Sequence, residues 1–206
     1  MSIENNVLDF VEGKNDLLRK RIFNLPEERK DVLLLVGTVP EKIVLAEQEY
    51  GLSMLARDPS PEVRKEVVKH MTDLRPFYND PSSIVRHTVA LQLKNILDCT
   101  VPEIRLDKSG MPYVVDTIER QMMNGMIKDI SVAVSTVAKQ AMDNLKKREI
   151  KEAVNTILGN SGLEDVSCSL AKDLEKALQE KFNSKDIEEL PVRSSNYFDR
   201  KDGIDR

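Results

Sequence analysis

Two segments, residues 58–71 with the sequence DPSPEVRKEVVKHM and residues 80–93 with the sequence DPSSIVRHTVALQL, decide how this chain folds. Each begins with Asp-Pro-Ser, and each has an apolar residue five positions after the aspartate, followed by arginine. Further apolar residues come four, eight and eleven positions after the first apolar one. This spacing places them on one face of an α-helix. The segments therefore predict two copies of an amphipathic helix, each preceded by a turn.

A third and weaker copy begins at Asp129. It lacks the proline, and Ser135 stands where the first two copies have arginine. Its apolar residues keep the spacing of the other copies: Val134, Ala138, Met142 and Leu145. Any amphipathic helix can produce such spacing, so the shared Asp-Pro-Ser and Val-Arg pairs are the stronger sign of an internal repeat.

The turn at the start of each copy has a physical basis. Proline and serine favour turns, so Asp58 and Asp80 are predicted to end one helix and lead into the next. Ser60 and Ser82 are then predicted N-caps, because a serine side chain can accept a hydrogen bond from a free amide in the first helical turn. Pro61 suits the first helical position, where no amide donor is needed.

With these segments the chain resembles the HEAT-repeat family and its armadillo-like relatives, over roughly residues 40–147. In that family the second helix of a repeat commonly begins with Asp, Pro and a Val-Arg pair. The resemblance implies an all-α fold, a right-handed superhelical stack of antiparallel helix pairs (a HEAT-like α-solenoid). It also implies that aspartate and arginine pair between neighbouring repeats, here at Asp58, Arg64, Asp80 and Arg86.

The spacing of the copies leaves the repeat count open. The 22-residue step from the first copy to the second is too short for a full helix pair, and the 49-residue step to the third is slightly long. Either residues 61–75 serve as the first helix of the second unit, or the intervening helix is reduced to Arg75–Asn79.

Helix-breaking residues and the spacing of apolar residues predict the remaining helices and loops. One domain is predicted over residues 1–183, with a C-terminal helical hairpin over 149–183 that turns at the glycines near 159–162. Residues 184–206 are polar and predict a disordered tail. The longest apolar run, Val32–Val36, fits a buried helix and is far shorter than the roughly 20 residues that span a bilayer. Other helices are predicted at Ile3–Glu12, Asp16–Asn24, Pro26–Val36, Glu41–Arg57, Tyr113–Met126 and Ile130–Lys147, with one long loop at Asp98–Pro112.

Composition points to a helical protein of the cytoplasm or nucleus. Of 206 residues, 40% are hydrophobic and 32% charged, whereas aromatics make up only 4% and tryptophan is absent, which suits helices packed on helices. Cys99 and Cys168 lie far apart without a second nearby cysteine, which favours a reducing compartment. The start of the chain lacks the basic segment of a secretory signal.

The sequence gives no support to an enzyme. His70 and His87 are the two histidines, and neither belongs to a Cys/His cluster with zinc spacing. The chain also lacks the glycine-rich phosphate-binding motifs and the serine nucleophile motif. We therefore expect no catalytic, cofactor or metal site.

The function expected instead is that of a scaffold or adaptor that binds another protein, with the possibility that it is a subunit of a larger assembly. No membrane partner is expected. If the repeat helices line a partner-facing surface, five basic residues could form a stripe on it, although Lys65 and Lys69 also alternate with Glu62 and Glu66 as ordinary helix-surface pairs would. The alternative function is nucleic-acid binding along a phosphate backbone, which the net charge of −4 does not favour. The five residues of the predicted stripe are Arg64, Lys65, Lys69, Arg86 and Lys94.

Overall fold

The computed structural model describes residues 16–160, 168–183 and 192–194, and these are mostly helical. The chain divides into two compact units, Met1–Val89 and Ala90–Arg206, and the boundary falls within one long helix. The predicted helix Ile3–Glu12 lies outside the described residues.

The first unit is a series of helices. Residues 16–23 are helical and are called α1. The following elements are α2 (Glu27–Val36), α3 (Val39–Glu47), α4 (Leu52–Leu55), α5 (Pro61–His70), a 3-10 turn (Arg75–Phe77) and the first part of α6 (Ser83–Cys99). The 3-10 turn lies within the Arg75–Asn79 segment that one of the two alternatives assigned to a shortened helix.

The helix predicted over Glu41–Arg57 is wrong as a single element, because two residues break it. Glu49 and Gly51 both have left-handed backbone conformations, with φ of 57° and 67°, and these separate α3 from α4. Gly51 also lies close to Leu34, so that a β-carbon there would lie 2.5 Å from Leu34 Cδ2 and 2.6 Å from Cδ1.

We expect Gly51→Ala to lower the free energy of unfolding by about 1–2 kcal/mol, since a left-handed residue with a side chain is strained and the added methyl group must displace Leu34. The measurement is urea denaturation followed by circular dichroism. Gly159→Ala is the control, because Gly159 is helical and a β-carbon there meets no atom within 4 Å. An equal loss from both variants would contradict the prediction.

The core of the first unit lies where α3 packs on α5, with α2 on α3 and α4 on α5. Val63 and Val67 of α5 are fully buried, as are Val85 and Val89 of α6. Phe77 of the 3-10 turn is also buried, at 1% exposure. The predicted helix faces are confirmed at these four valines and at Leu74 and Leu93, whereas Met71 is half-buried and Ile96 is exposed. In the third copy, all four predicted positions are buried: Val134, Ala138, Met142 and Leu145.

The second unit contains a small sheet where a loop and the start of a helix were predicted. Strands β1 (Ile104–Leu106) and β2 (Pro112–Asp116) pair antiparallel, and β3 (Val192–Ser194) pairs parallel with β2, with Val114 opposite Val192. The prediction of a continuous loop over Asp98–Pro112 is therefore wrong. The helix predicted from Tyr113 is α7 and begins at Ile118.

The local cause of the hairpin is its turn. The Asp107 side chain accepts hydrogen bonds at Oδ1 from Ser109 N (2.8 Å) and Met111 N (3.0 Å), and Gly110 takes a left-handed conformation with φ of 79°. Along β2, Val114 is buried while Tyr113 and Val115 are half-buried, an alternation of period two that fits a strand.

The sheet packs against the C-terminal helices. Helix α8 runs from Val132 to Asn160 without the break predicted after Lys147, and α9 covers Cys168–Asn183. Both helices of the predicted hairpin are thus present, but the first is the end of α8. The cluster they form is centred on Val114, Ala153, Val154 and Leu178. Residues 184–191 and 195–206 of the predicted tail lie outside the described residues.

Candidate functional site

Each of the three sequence copies starts with the same aspartate turn. Asp58 Oδ1 accepts a hydrogen bond from Ser60 N at 2.8 Å, and Asp80 Oδ1 accepts one from Ser82 N at 2.8 Å. Asp129 Oδ1 does the same with Ser131 N, at 2.7 Å. In every case the helix begins three residues after the aspartate, at Pro61, Ser83 and Val132.

The prediction of Ser60 as an N-cap is right in position and wrong in mechanism. Ser60 is the N-cap residue and Pro61 the first helical residue, but the serine side chain makes no capping hydrogen bond. Its hydroxyl instead donates to Glu62 Oε2 at 2.7 Å. The Asp58 carboxylate closes the turn, which is a common use of aspartate.

An arginine on each helix binds back to the turn that precedes it. Arg64 NH1 donates to two carbonyl oxygens of its turn, at 2.7 and 3.1 Å, and Arg86 NH1 does so at 2.8 and 3.2 Å. These bonds hold each arginine side chain against the turn that begins its own helix. The acceptors are Asp58 O and Pro59 O for Arg64, and Asp80 O and Pro81 O for Arg86.

Arg64 also connects the first copy to the second. Its Nε and NH2 donate to Asp80 Oδ2 and Oδ1 at 2.8 and 2.9 Å, a bidentate pair whose side chains are 12% and 6% exposed. The pairing of Arg64 with Asp80 that the resemblance implied is present. Bidentate geometry fixes the relative orientation of the two groups as well as their distance.

The same contact occurs one step earlier, with a lysine. Lys42 Nζ donates to Asp58 Oδ2 at 2.8 Å, and Lys42 precedes Arg64 by the same 22 residues that separate Asp58 from Asp80. We call the four residues Lys42, Asp58, Arg64 and Asp80 the ionic ladder. It ties α3 to the turn before α5, and α5 to the turn before α6.

Opposing effects act on the ionisation of Asp80. Burial disfavours its charge and is the largest single influence on its pKa. The hydrogen bonds from Arg64 and Ser82 and the charges of Arg64 and Arg86 together outweigh burial, so the pKa of Asp80 lies below its ordinary value. The Asp80 carboxylate is therefore ionised at neutral pH.

The five residues of the predicted basic stripe have different roles. Arg64, whose side chain is 12% exposed, pairs with Asp80 in the ionic ladder, and Arg86 donates to backbone carbonyls. Lys69 pairs with Glu66 at 2.6 Å and Lys94 with Asp98 at 2.6 Å, each within its own helix. Lys65 is half-buried and forms no ion pair with another described residue. Two of the five cations thus act within the fold, and two others form helix-surface pairs.

The two histidines lie on different helices, α5 and α6. His70 lies near two carboxylates, with Nε2 3.5 Å from Glu66 Oε1 and Nδ1 3.7 Å from Glu49 Oε1, and His87 is half-buried on α6. Within residues 16–160, 168–183 and 192–194, no group of three or more His, Cys, Asp or Glu side chains could hold a metal ion.

The surface feature that sequence reasoning missed is on α2. Val32, Leu35 and Val36 are 52%, 68% and 77% exposed, and their spacing places them on one side of the helix, which we call the α2 face. The prediction of Val32–Val36 as a buried helix is wrong for these three residues, since Leu34 is the buried member of the run. Because all five residues of this run are apolar, their order does not indicate which side of the helix is exposed.

The rest of α2 is anchored to the unit. Tyr50 donates from its hydroxyl to Asp31 Oδ1 at 2.8 Å, which raises the pKa of Tyr50 to about 12. Lys30 lies over the rings of Phe23 and Tyr50, 5.9 and 5.6 Å from their centroids. These contacts fix the helix with its apolar α2 face outward.

Comparison of the chain with family models, with curated proteins and with solved structures finds no match. Among the helices described above, none has the length and apolar character needed to cross a bilayer.

Proposed function

We propose that this chain is a non-catalytic adaptor that binds another protein through its helical-repeat surface, as a subunit of a larger assembly. The observation that carries the proposal is the α2 face, on which Val32, Leu35 and Val36 are each more than half exposed. Clustered apolar side chains on a surface are typical of protein-binding sites. Burying them against a partner would gain about 25 cal/mol for each Å² of apolar area removed from water.

The ionic ladder supports a scaffold role by making the repeat rigid. Arg64 and Asp80 are both largely buried, so their pairing is little screened by water and tolerates little change in geometry. A surface held in this way loses little conformational freedom on binding. The aspartate turns and the ladder also support a HEAT-like, right-handed superhelical stack as the finer description of the fold.

Nucleic-acid binding remains the alternative, and no described feature favours it. Backbone binding needs cations that are free to neutralise phosphates. The Arg64 guanidinium already donates to Asp80 and to two carbonyls, and Lys69 and Lys94 have carboxylate partners. Location in the cytoplasm or nucleus stays a prediction.

The test replaces the α2 face and keeps the fold. In the double variant Leu35→Asp with Val36→Asp, we expect at least a tenfold loss of the proteins that co-purify with the wild-type chain from its native source, measured by quantitative mass spectrometry. A photo-crosslinking residue at position 35 should then join the chain to the same proteins. Both replaced side chains are exposed, but aspartates in the last turn of α2 oppose the helix dipole, so the free energy of unfolding should fall by no more than about 2 kcal/mol.

The matched control is Ile130→Asp with Val132→Asp, because Ile130 and Val132 are 98% and 78% exposed and lie in the other unit. This variant should keep the co-purifying proteins. Equal retention by both variants would refute a role for the α2 face. Loss only on charge reversal at Lys65 and Lys69, or duplex binding that falls steeply with salt, would favour the basic residues instead.

A further inference from the structure

Strand β3 closes an edge of the sheet that the earlier strands leave open. It covers Val192–Ser194 and pairs in parallel with the last three residues of β2, whereas β1 pairs with the other edge of β2. Helix α9 ends at Asn183, so the eight residues 184–191 connect α9 to β3. A short segment on a connection of its own thus occupies the second edge of β2, which we call the β2 edge.

The pairing of β3 with β2 makes one demand on side chains. Main-chain hydrogen bonds between strands are available to any extended segment, and specificity comes from alternate side chains. Val192 lies opposite Val114, which is 2% exposed and belongs to the core cluster with Ala153, Val154 and Leu178. A β-branched apolar residue suits such a position in a strand. A strand on the β2 edge therefore needs an apolar residue opposite Val114.

The β2 edge is suited to exchange of its strand. β3 is held along three residue pairs at the border of the sheet, and small peripheral segments of this kind open at a lower free energy than a core. Opening leaves the amide and carbonyl groups along the β2 edge unpaired, and such an edge is a template for another strand. Each copy of the chain therefore carries both halves of a docking contact, the β2 edge and the segment that fits it.

We propose that two copies of this chain exchange β3, so that Val192–Ser194 of one copy pairs with the β2 edge of the other. A second copy fits the contact because it presents the same residue opposite Val114 and forms the same three pairs. Exchange of an identical element makes a dimer at low energetic cost. Both strands lie in Ala90–Arg206, so the proposal is independent of the α2 face.

The connection between α9 and β3 sets the protein concentration at which exchange is expected. A short link holds a tethered segment at an effective concentration on the order of 1 mM. A strand from another copy makes the same contacts and therefore competes when its own concentration reaches that value. We expect β3 to pair within its own chain at about 10 µM protein and to exchange between copies at about 1 mM.

The experiment uses full chains in which Cys99 and Cys168 are replaced by serine. One chain carries Val115→Cys and the other Arg193→Cys, because these two residues are Cα partners across the strands. Adjacent strands are about 4.8 Å apart, a Cα separation that a disulfide can bridge. After the chains are mixed at about 1 mM and oxidised, we expect a heterodimer linked between positions 115 and 193, identified by mass spectrometry of the joined peptides.

Two controls fix the meaning of the yield. A chain with both substitutions should close its disulfide within itself at about 10 µM. Mixing Arg193→Cys with Met111→Cys measures disulfides formed by collision, since Met111 is 39% exposed and lies outside the three pairs, and the yield should be at least tenfold lower. A 115–193 heterodimer at the collision level would overturn the proposal, and so would failure of the double variant to close.

A further variant tests the position opposite Val114. Val192→Asp in the Arg193→Cys chain should lower the heterodimer yield at least tenfold, because it sets a charge opposite a buried apolar residue. Val101→Asp is the matched control, since Val101 is a 69% exposed valine of the same unit outside the strands, and it should leave the yield unchanged. Equal yields from the two variants would refute exchange through β3.

A synthetic peptide of residues 189–196 distinguishes a second copy from a strand of another protein. In about tenfold molar excess it should lower the heterodimer yield at least twofold, whereas the same peptide with Val192→Asp should not. Absence of competition would overturn the proposal. Binding of the peptide without exchange between copies would also overturn it and would assign the β2 edge to a strand of another protein.

Discussion

Asp80→Ala is expected to lower the free energy of unfolding by about 3–5 kcal/mol, the range found when one partner of a buried ion pair is removed. The change leaves the Arg64 guanidinium, 12% exposed, without its carboxylate, and it also removes the acceptor for Ser82 N in the turn before α6. The measurement is urea denaturation of the wild type and the variant, followed by circular dichroism. Arg64→Met in the same background should recover part of the loss, because it removes the uncompensated charge.

Asp73→Ala is the matched control within the same unit. Asp73 makes the same set of contacts as Asp80, with a bidentate pair to Arg75 at 2.8 and 2.8 Å and a hydrogen bond from Arg75 N at 3.1 Å. Its pair is exposed, however, at 60% and 46%, so its removal should have an effect below about 1 kcal/mol. If both variants lose the same free energy of unfolding, burial of the Arg64–Asp80 pair contributes nothing to stability.

The same pair predicts a pH dependence. Because the pKa of Asp80 in the folded protein lies below the ordinary value of 3.8, its contribution to stability is fully present above that value. The contribution is lost as the pH falls through the lower pKa of the folded state. The stability of Asp80→Ala should therefore depend less steeply on pH in this acidic range than that of the wild type.

Phe77→Ala is expected to lower the free energy of unfolding by about 3–4 kcal/mol, since it removes a fully buried aromatic ring and leaves a cavity. Phe77 ends the three-residue 3-10 turn between α5 and α6, so little backbone is available to move into the space. Thermal and urea denaturation would both register the loss.

Phe23→Ala serves as its control, because Phe23 is the same residue type at 70% exposure in the same unit. It contacts Lys30 through its ring face, and the expected loss is about 1 kcal/mol or less. If Phe77→Ala has an effect no larger than Phe23→Ala, the 3-10 turn is not an anchored part of the core.

The parts of the fold that could be predicted are those where sequence spacing has a direct geometric meaning. Val63, Val85 and Val134 come five residues after the aspartates, and all three are fully buried. The aspartate turns follow from local chemistry within three residues, so they too could be read from the sequence. The spacing of apolar residues wrongly predicted one helix over α3 and α4. The break between them arises because Glu49 takes a left-handed conformation that its residue type does not favour.

Other parts depend on contacts between residues far apart in the chain. The strands β1 and β2 have three and five residues, which is too few for a clear alternation of apolar and polar side chains. They also follow residues that typically break helices and favour loops. The buried ion pair of Arg120 and Glu149 joins two residues that are 29 positions apart and share no motif. The role of Arg64 also could not be predicted from the residue alone, because an arginine suits both a basic surface and an internal ion pair. Only the resemblance favoured Asp80 as its partner.

The ladder has a consequence for how the length of this chain can change. Its cation and its aspartate each recur after 22 residues, and every cation reaches an aspartate 16 residues further on. Duplication of a 22-residue segment would keep each cation 16 residues before an aspartate. An insertion of another length between Arg64 and Asp80 would have to loop out before the pair could form. Gene duplication in steps of 22 residues could thus lengthen the protein without new polar pairs having to arise.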